Sequence, residues 1–337
     1  MKFAPLPYGK PVRFEGYYFE SENEFLHKTH DLFIQEFVCS YKLKENRPAI
    51  CQKEHAFLTS LYSEEGYYEN LCMTSIDLNI FFECYEVKDF TPLGGLAFAS
   101  RTGMFNDYVD HFSAMKIQAK KEKNHGRYIL SKLMLNSLSG KFASRVESFI
   151  RIPEFGKNEV VKYKTIKTKD KDPNYTAISA FITAYGRQLL VNAIIENYER
   201  WAYNDTDSIH LIGWEMPEGM WIDNEALGAW KCEGFFNRAI FLKQKAYIEE
   251  YVYKVDSFDD ETGEVNMTLI NDYKELKNTD EESLDSQIEV KVSGAPKEIR
   301  NQINFENFKP GSVFQGKKEM KTVKGGRVII ETDFTLK

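Results

Sequence analysis

Cysteine and histidine are scarce in this sequence of 337 residues. Five cysteines and six histidines are scattered along the chain, and no two cysteines form a C-x-x-C pair. Disulfide frameworks and structural zinc sites need paired or regularly spaced ligands, so the scattered set argues against both. The thiols are expected to stay reduced, as in a cytosol-like compartment.

The sequence also lacks a continuous apolar run of membrane-spanning length and a signal peptide at Met1. This predicts a soluble protein that is not exported and has no membrane partner. Hydrophobic residues nevertheless make up 42% of the chain, which is ordinary for a globular protein. The length favours about two domains, each large enough to bury a core.

An overall excess of positive charge is missing too, because the formal net charge is −7. That average hides strong local differences. Residues 115–145 contain six lysines and two arginines against one glutamate, and residues 157–171 contain six lysines against two acids. Residues 256–289, with twelve acids and two lysines, are predicted to form an exposed hairpin loop. Basic segments of one sign favour a phosphate-bearing partner over an ordinary solvated helix face.

The local patterns predict an α+β protein. Apolar residues recur at helical spacing in three regions, and alternate with polar residues in several short ones. The predicted helices are 75–86, a pair within 108–145 broken near residues 124–126, and 176–198. The predicted strands are 12–19, 33–43, a β-hairpin within 144–176, 242–248 and 328–330.

Residues 201–211 stand out because apolar, alternating runs flank a short polar turn, which indicates a β-hairpin. Asp205 and Asp207 lie at its tip. Mg²⁺ is usually held by one or two carboxylates together with substrate phosphates. Aspartates are also common turn formers, and a D-x-D pattern alone favours a plain turn over a metal site.

A second candidate group lies on the predicted helix that follows residues 124–126. Lys132, Asn136 and Gly140 are spaced four apart and share one face with Tyr128. A lysine on such a face can bind a polyphosphate, and the glycine permits close approach of a base. The core side of this helix is expected to carry Leu133, Leu135 and Leu138.

A third candidate pair lies on the predicted strand 242–248. Lys245 and Tyr247 are two residues apart, so both side chains should point to the same face of the strand. A cation beside an aromatic ring can contact a phosphate and a sugar together. His210, which alternates with Ser208, is interpreted as structural.

Together these motifs resemble those of the family B DNA polymerases, and most closely the protein-primed polymerases of phi-29-like phages. Residues 203–208, YNDTDS, resemble the metal-binding motif Y-x-D-T-D-S, and residues 132–140, KLMLNSLSG, resemble the fingers motif K-x-x-x-N-S-x-Y-G. Residues 245–247, KAY, match the primer motif K-x-Y, and residues 183–187, TAYGR, resemble T-x-x-G/A-R. The similarity extends from the LPYG stretch at 6–9 to the C-terminus.

The resemblance implies a role for each candidate residue. Asp205 and Asp207 would bind two Mg²⁺ or Mn²⁺ ions, and Lys132 would act in catalysis by contacting the incoming triphosphate. Lys120 would add a second basic contact to the nucleotide, and Asn136 and Gly140 would line the nascent base pair. The residues expected to bind the primer and template are Tyr203, Thr206, Ser208, Lys245, Tyr247, Arg187 and Lys291.

The resemblance also implies a layout: a palm with an antiparallel sheet, fingers made of a helical hairpin, β-rich insertions and a small thumb. The expected partners are primer–template DNA, dNTPs and a terminal protein, in the cytoplasm of a bacterial host. In chain order, the expected segments are 1–107 (a palm-associated insertion contacting the terminal protein), 108–143 (fingers), 144–176 (a second insertion, a β-hairpin for strand displacement), 177–292 (palm) and 293–337 (thumb).

The sequence departs from this family at two points. Ser139 occupies the position of the family's tyrosine, which removes a stacking surface beside the nascent pair. A D-x-x-S-L-Y-P motif with a further metal-binding aspartate, and the exonuclease carboxylates, are not present. Four aspartates lie in unrelated contexts and are poor substitutes for the missing one, namely Asp31, Asp77, Asp107 and Asp110.

These departures predict a C-terminal polymerase part that is completed by a separate N-terminal polymerase/exonuclease chain. A split gene, a gene interrupted by an intron and a truncated sequence are all compatible with this prediction. The main alternative is a catalytically inactive, polymerase-derived module that binds DNA or the terminal protein. A D-x-D glycosyltransferase would share the metal chemistry, but it would not explain the basic helices or the K-x-Y pair.

Overall fold

The computed structural model describes residues 2–52, 62–155, 161–172, 174–224, 226–319 and 329–336. The chain divides into two compact units, the first comprising Met1–Cys51 and Ser63–Asn192 and the second Gln52–Tyr62 and Ala193–Lys337. Helices and antiparallel sheets occur in both, which confirms the predicted α+β class.

The first unit is built on a four-stranded antiparallel sheet with the order β1-β6-β2-β5. Helices lie between and after its strands. Its elements are, in chain order, β1 (Leu6–Glu15), α1 (Glu24–His27), β2 (Leu32–Leu43), β3 (Cys51–Gln52), β4 (Tyr62–Ser63), β5 (Glu65–Thr74), α2 (Ser75–Cys84), β6 (Tyr85–Arg101), α3 (Asn106–Lys121), α4 (His125–Phe142), β7 (Phe149–Phe155), β8 (Val161–Lys167) and α5 (Thr176–Glu196), with β3 and β4 at the unit boundary.

The central strand β6 is 17 residues long and contains two adjacent glycines that allow its neighbours to approach closely. A Cβ atom at Gly95 would lie 2.0 Å from the Ile34 carbonyl oxygen, and one at Gly94 would lie 2.6 Å from that of Phe14. Any side chain here would therefore push β1 and β2 away. No strand is predicted here from the sequence pattern.

Helix α2 begins where it was predicted, but it ends at Cys84 and its N-cap is Thr74. The Thr74 hydroxyl accepts a 3.1 Å hydrogen bond from the Asp77 backbone N–H and donates a 2.8 Å bond to the Asp77 carboxylate. A threonine at N-cap with an acid three residues later is a variant of the capping box.

The predicted helical hairpin is confirmed, since α3 and α4 are joined by three residues, as is the predicted β-hairpin, formed by β7 and β8. Tyr108 of α3 donates a 3.0 Å hydrogen bond to the Met134 carbonyl of α4. The expected core side of α4 is partly wrong, because Leu133 is 60% exposed. The buried residue on this helix is instead Ser131, whose hydroxyl bonds to the Arg127 carbonyl.

Helix α5 confirms the predicted helix and is the one described helix long and apolar enough to pass a length and composition test for a membrane span. Its Ile178 and Phe181 are buried against Leu6, Leu32 and Phe98 of the sheet. A core helix of a soluble domain has the same composition, because it must bury an apolar face.

The second unit contains a two-stranded hairpin and a four-stranded antiparallel sheet. In that sheet, the long strand β12 pairs with β11 and β13 on one edge and β14 on the other. The elements of the second unit are, in chain order, β9 (Trp201–Asp205), β10 (Ser208–Leu211), β11 (Phe236–Lys243), β12 (Ala246–Phe258), β13 (Val265–Leu269), α6 (Tyr273–Asn278), β14 (Leu284–Val292), α7 (Lys297–Arg300), β15 (Val313–Glu319) and β16 (Ile329–Thr335).

Two predictions for the second unit are wrong. The predicted strand 242–248 is broken by a turn between β11 and β12, and Lys245 lies in that turn with a φ of 58°. The acidic segment 256–289 is not one loop, since it contains β13, α6 and most of β14. The predicted strand 328–330 is confirmed by β16 for residues 329 and 330, and residue 328 lies outside the described residues.

The core of the second unit forms where the sheet packs against the C-terminal elements. Ile248 of the central strand is fully buried together with Ile299 of α7, and Phe314 of β15 and Leu336 belong to the same cluster. The strand that carries Tyr247 is therefore fixed from behind by apolar packing, which leaves its other face free to carry polar groups.

Candidate functional site

The two candidate metal-binding carboxylates lie at the tip of the β9–β10 hairpin, as predicted. Asp205 ends β9 and pairs with Ser208, and the Asp207 backbone N–H bonds to the Asp205 carbonyl across a tight turn. Thr206, between them, has a φ of 42°, a strained conformation for a β-branched residue. Its hydroxyl donates a 2.9 Å hydrogen bond to the Asp205 carboxylate, so the turn itself orients one of the two carboxylates.

Tyr203, two residues before Asp205, connects this hairpin to the primer-type motif. Its hydroxyl oxygen accepts a 2.9 Å hydrogen bond from the Lys245 backbone N–H and lies 3.4 Å from the Lys243 carbonyl. Its ring stacks on Phe241 with the centroids 4.6 Å apart and an interplanar angle of 9°. The Tyr203 side chain thus links the turn that holds Lys245 to the aspartate hairpin.

Lys245 and Tyr247 lie close together, although they do not alternate along one continuous strand. The Lys245 side chain is exposed at the turn, and the Tyr247 ring lies 5.3 Å from that of Tyr203. Burial, and then the negative charge of Glu249, raises the pKa of Tyr247 to about 12. The phenol therefore stays protonated at neutral pH and can donate a hydrogen bond to a sugar or phosphate oxygen.

Lys291 lies directly opposite Tyr247 on the neighbouring strand β14. Its ammonium group is 3.1 Å from the Glu289 carboxylate, and both side chains are close to half exposed. An exposed pair of this kind is weak, so Lys291 can exchange its partner for a phosphate. Lys245, Tyr247 and Lys291 are thereby brought together on one part of the second unit.

Behind these residues lies a buried group that sequence reasoning missed. His210 of β10 is 2.7 Å from the Glu249 carboxylate on β12, and Glu249 is fully buried. The aromatic rings of Tyr203, Phe241 and Tyr247 surround the imidazole. The sequence contains one signal for this group: Glu249 is two residues after Tyr247, so alternation along the strand places both side chains on the same face.

The donor set at the hairpin tip fits a hard divalent ion, because it consists of carboxylate oxygens. Within the described residues, neither Asp205 nor Asp207 forms an ion pair with a basic side chain. No group of three or more His, Cys, Asp or Glu side chains in that part of the chain is arranged to hold a metal. Asp205 and Asp207 are therefore two carboxylates without a third such side chain grouped with them in the described part of the chain.

The predicted nucleotide-binding residues belong to the first unit. Lys132, Asn136 and Gly140 are all exposed along one face of α4, as their spacing predicted. Lys120 lies in the last turn of α3 and lines a shallow pocket with Lys123, His125 and Tyr128 at the turn of the helical hairpin. Neither Lys120 nor Lys132 forms an ion pair with an acid among the described residues. Each of these lysines can therefore bind a polyanion without losing an ion pair.

Arg187 has a partner that the sequence analysis did not predict. On α5, its guanidinium donates two hydrogen bonds of 2.8 Å to the two carboxylate oxygens of Asp77 on α2. This bidentate geometry is the strongest form of an arginine–carboxylate pair. The Arg187 side chain remains 49% exposed.

Comparison with known proteins gives a consistent family assignment. The family described as "DNA polymerase type B, organellar and viral" matches residues 1–225. The DNA polymerase of Bacillus phage phi29 is 34% identical over 98% of this chain, and that of Streptococcus phage Cp-1 is 28% identical over 80%. The chain covers 54% and 41% of these two relatives.

Solved structures give the same result for the fold. A structure of phi29 DNA polymerase complexed with primer-template DNA and incoming nucleotides superposes with a TM-score of 0.81 at 32% identity. The similarity covers all of this chain and 55% of the other. The chain therefore spans about half the length of the curated relatives it matches.

Proposed function

This chain belongs to the family of type B DNA polymerases of organelles and viruses, and we propose that it is the C-terminal polymerase part of a phage-type, protein-primed DNA polymerase. The proposed reaction transfers a nucleotide from a dNTP to the 3′-hydroxyl of a primer on a DNA template. The observation that carries the proposal is the hydrogen bond from the Lys245 backbone to the Tyr203 hydroxyl. It joins the aspartate turn to the K-x-Y turn within one compact unit.

Asp205 and Asp207 are proposed to hold Mg²⁺ or Mn²⁺, with two ions in the completed site. When bound, such ions neutralise phosphate charge and activate the attacking oxygen in phosphoryl transfer. Thr206 keeps the Asp205 carboxylate oriented through its hydroxyl. Since two carboxylates are few for two ions, a further aspartate outside this sequence is proposed to complete the site.

The incoming nucleotide is proposed to bind the exposed face of α4. Lys132 and Lys120 would neutralise its triphosphate, whose charge grows on the leaving group during transfer. Asn136 and Gly140 would contact the nascent base pair, where the absence of a side chain at Gly140 gives the base room. Ser139 would leave this pair without the ring that the family's tyrosine supplies.

The primer and template strands are proposed to bind the second unit around Lys245. Lys245 and Lys291 would bind backbone phosphates, and Tyr247 would donate a hydrogen bond near the primer end. The remaining proposed contacts with DNA come from Tyr203, Thr206, Ser208 and Arg187.

The proposed layout assigns a role to each segment of the chain. Residues 1–107 would contact the terminal protein, 108–143 would be the fingers, and 144–176 a strand-displacing hairpin. Residues 177–292 would be the palm and 293–337 the thumb. The protein would act on the phage genome in the cytoplasm of its bacterial host.

The experiment that tests this function is primer extension with and without an N-terminal polypeptide that carries the exonuclease and D-x-x-S-L-Y-P motifs. This chain alone should extend a primer poorly, and the mixture should extend it with Mg²⁺ and dNTPs. Asp207→Ala should reduce the activity of the mixture at least a thousandfold, because it removes half of the carboxylates held on this chain. Full activity of the isolated chain, or an active Asp207→Ala mixture, would contradict the proposal.

A second candidate function is a non-catalytic module that binds DNA or the terminal protein. It is favoured by the incomplete set of metal ligands in the described residues. This function predicts salt-sensitive DNA binding with no extension in any mixture. The same primer-extension experiment therefore separates the two candidates.

A further inference from the structure

The aspartate hairpin is connected to the main sheet of its unit by side chains. Among the described strands, β9 and β10 pair only with each other, while β11, β12, β13 and β14 form the separate four-stranded sheet. Ladder hydrogen bonds therefore do not set the position of the hairpin on the sheet. The position of the hairpin must instead be set by side chains that reach from the hairpin to the sheet.

Glu249 is the polar centre of that connection. It lies in the first half of β12, its side chain is fully buried, and both carboxylate oxygens are engaged. Oε1 is 2.7 Å from Nδ1 of His210, and Oε2 accepts a 2.9 Å hydrogen bond from the Tyr251 hydroxyl. One oxygen thus binds the hairpin, and the other binds the strand from which Glu249 itself projects.

The location of this pair couples the two candidate motifs. His210 pairs with Tyr203 across the hairpin and lies three residues beyond Asp207. Glu249 lies two residues beyond Tyr247 and four beyond Lys245. A shift of the hairpin along the sheet would therefore break the buried hydrogen bond, and a buried carboxylate without its partner is strongly unfavourable.

We infer that His210 and Glu249 are positioning residues for the metal site: their buried hydrogen bond fixes the aspartate hairpin at the distance from the Lys245 turn that the reaction needs. The inference rests on the proposed function, in which Asp205 and Asp207 hold the divalent ion. In this role neither His210 nor Glu249 would bind the ion or the substrate directly, since the polar partners of the Glu249 carboxylate are His210 and Tyr251. They act through the hairpin and through β12.

Four variants of the full chain separate positioning from simple stabilisation. His210→Phe keeps an aromatic ring in the cluster and removes the donor. His210→Asn places an amide nitrogen near the position of Nδ1 and should rescue it. The double variant His210→Phe with Glu249→Leu removes both polar groups and leaves no buried charge. Tyr251→Phe is the matched control, because it removes a hydrogen bond to the same carboxylate without touching the hairpin.

The measured quantity is the affinity of each folded chain for Mn²⁺, followed by electron paramagnetic resonance, with Asp205→Asn defining the specific site. His210→Phe and the double variant should weaken Mn²⁺ binding about tenfold, and Tyr251→Phe less than twofold. His210→Asn should recover most of the loss. In the mixture with the N-terminal polypeptide (the reconstituted polymerase), the Mg²⁺ concentration for half-maximal extension should rise most for the variants that lose the most Mn²⁺ affinity.

The double variant keeps the inference falsifiable if His210→Phe does not fold. A folded double variant that binds Mn²⁺ as the wild type does would overturn the positioning role and leave the polymerase function standing. Mn²⁺ binding that is unaffected by Asp205→Asn would instead contradict the proposed metal site itself.

Discussion

Asp77 takes part in two interactions that explain why Arg187 lies where it does. Its carboxylate accepts a hydrogen bond from the Thr74 cap of α2, and it binds the Arg187 guanidinium with both oxygens. The Asp77 side chain is only 15% exposed. An arginine held in this way is partly neutralised, so its contribution to DNA binding can be measured separately from its structural role.

We expect Arg187→Ala and Asp77→Asn to destabilise the first unit by about 1 kcal/mol each, because either change breaks a half-exposed bidentate pair. If Arg187 also binds a phosphate, only Arg187→Ala should weaken primer–template binding and lower its salt dependence. Urea denaturation gives the free energy of unfolding, and fluorescence anisotropy gives the DNA affinity. Equal DNA affinities for the two variants would assign Arg187 a purely structural role.

Single residues at the site were predictable where their pattern is local. The spacing of Lys132, Asn136 and Gly140 gave their common face, because a helix repeats every 3.6 residues. The turn at Lys245 was not predictable, since a lysine at positive φ has no signature in sequence. Glu249 was missed for a different reason: its importance depends on His210, which is 39 positions away in the chain.

At the scale of elements, strong local periodicity predicted α3, α4 and α5 and the hairpins β7–β8 and β9–β10. Strand β6 was missed because Pro92, Gly94 and Gly95 look like a loop in sequence. The two glycines are needed because β1 and β2 lie close to β6. This closeness is a property of the tertiary structure and cannot be read from a local pattern. The same limit applies to Leu133, which fits the helical pattern of a core residue and is nevertheless exposed.

Gly140 of helix α4 is proposed to give room to the nascent base pair, although glycine lowers the stability of a helix. These two effects can be tested with one substitution. A Cβ atom at Gly140 would meet nothing within 4 Å, and alanine is about 1 kcal/mol better than glycine inside a helix. Gly140→Ala should therefore stabilise the chain while raising the KM for dNTPs about tenfold in the reconstituted polymerase, because the nascent pair needs that space.

The matched control for this prediction is Gly126→Ala in the first turn of the same helix. The added Cβ would come no closer than 3.8 Å, to the Asn124 side chain. We expect Gly126→Ala to stabilise the protein, as measured by thermal denaturation, and to leave the KM for dNTPs unchanged, as measured by single-nucleotide extension. A Gly140→Ala variant that behaves like this control would remove Gly140 from the nucleotide site.

On the scale of the whole molecule, the distribution of charge matters more than its sum. The net charge is −7, yet Lys120 and Lys132 in the first unit and Lys245 and Lys291 in the second are exposed on the elements proposed to bind nucleotide and DNA. The segment 256–289, with twelve acids against two lysines, accounts for the whole acidic excess. A protein with this distribution can bind a polyanion locally while remaining acidic overall.

We therefore expect primer–template binding by this chain to depend steeply on salt. About four phosphate contacts would release enough counterions to weaken binding roughly a hundredfold between 50 and 200 mM salt. Lys245→Ala should reduce the slope of log affinity against log salt by about one, whereas Lys274→Ala, an exposed lysine of the acidic segment, should leave it unchanged. Fluorescence anisotropy at several salt concentrations measures both slopes. A shallow slope that Lys245→Ala does not alter would mean that these lysines do not bind phosphates, and the primer site would have to lie elsewhere on the chain.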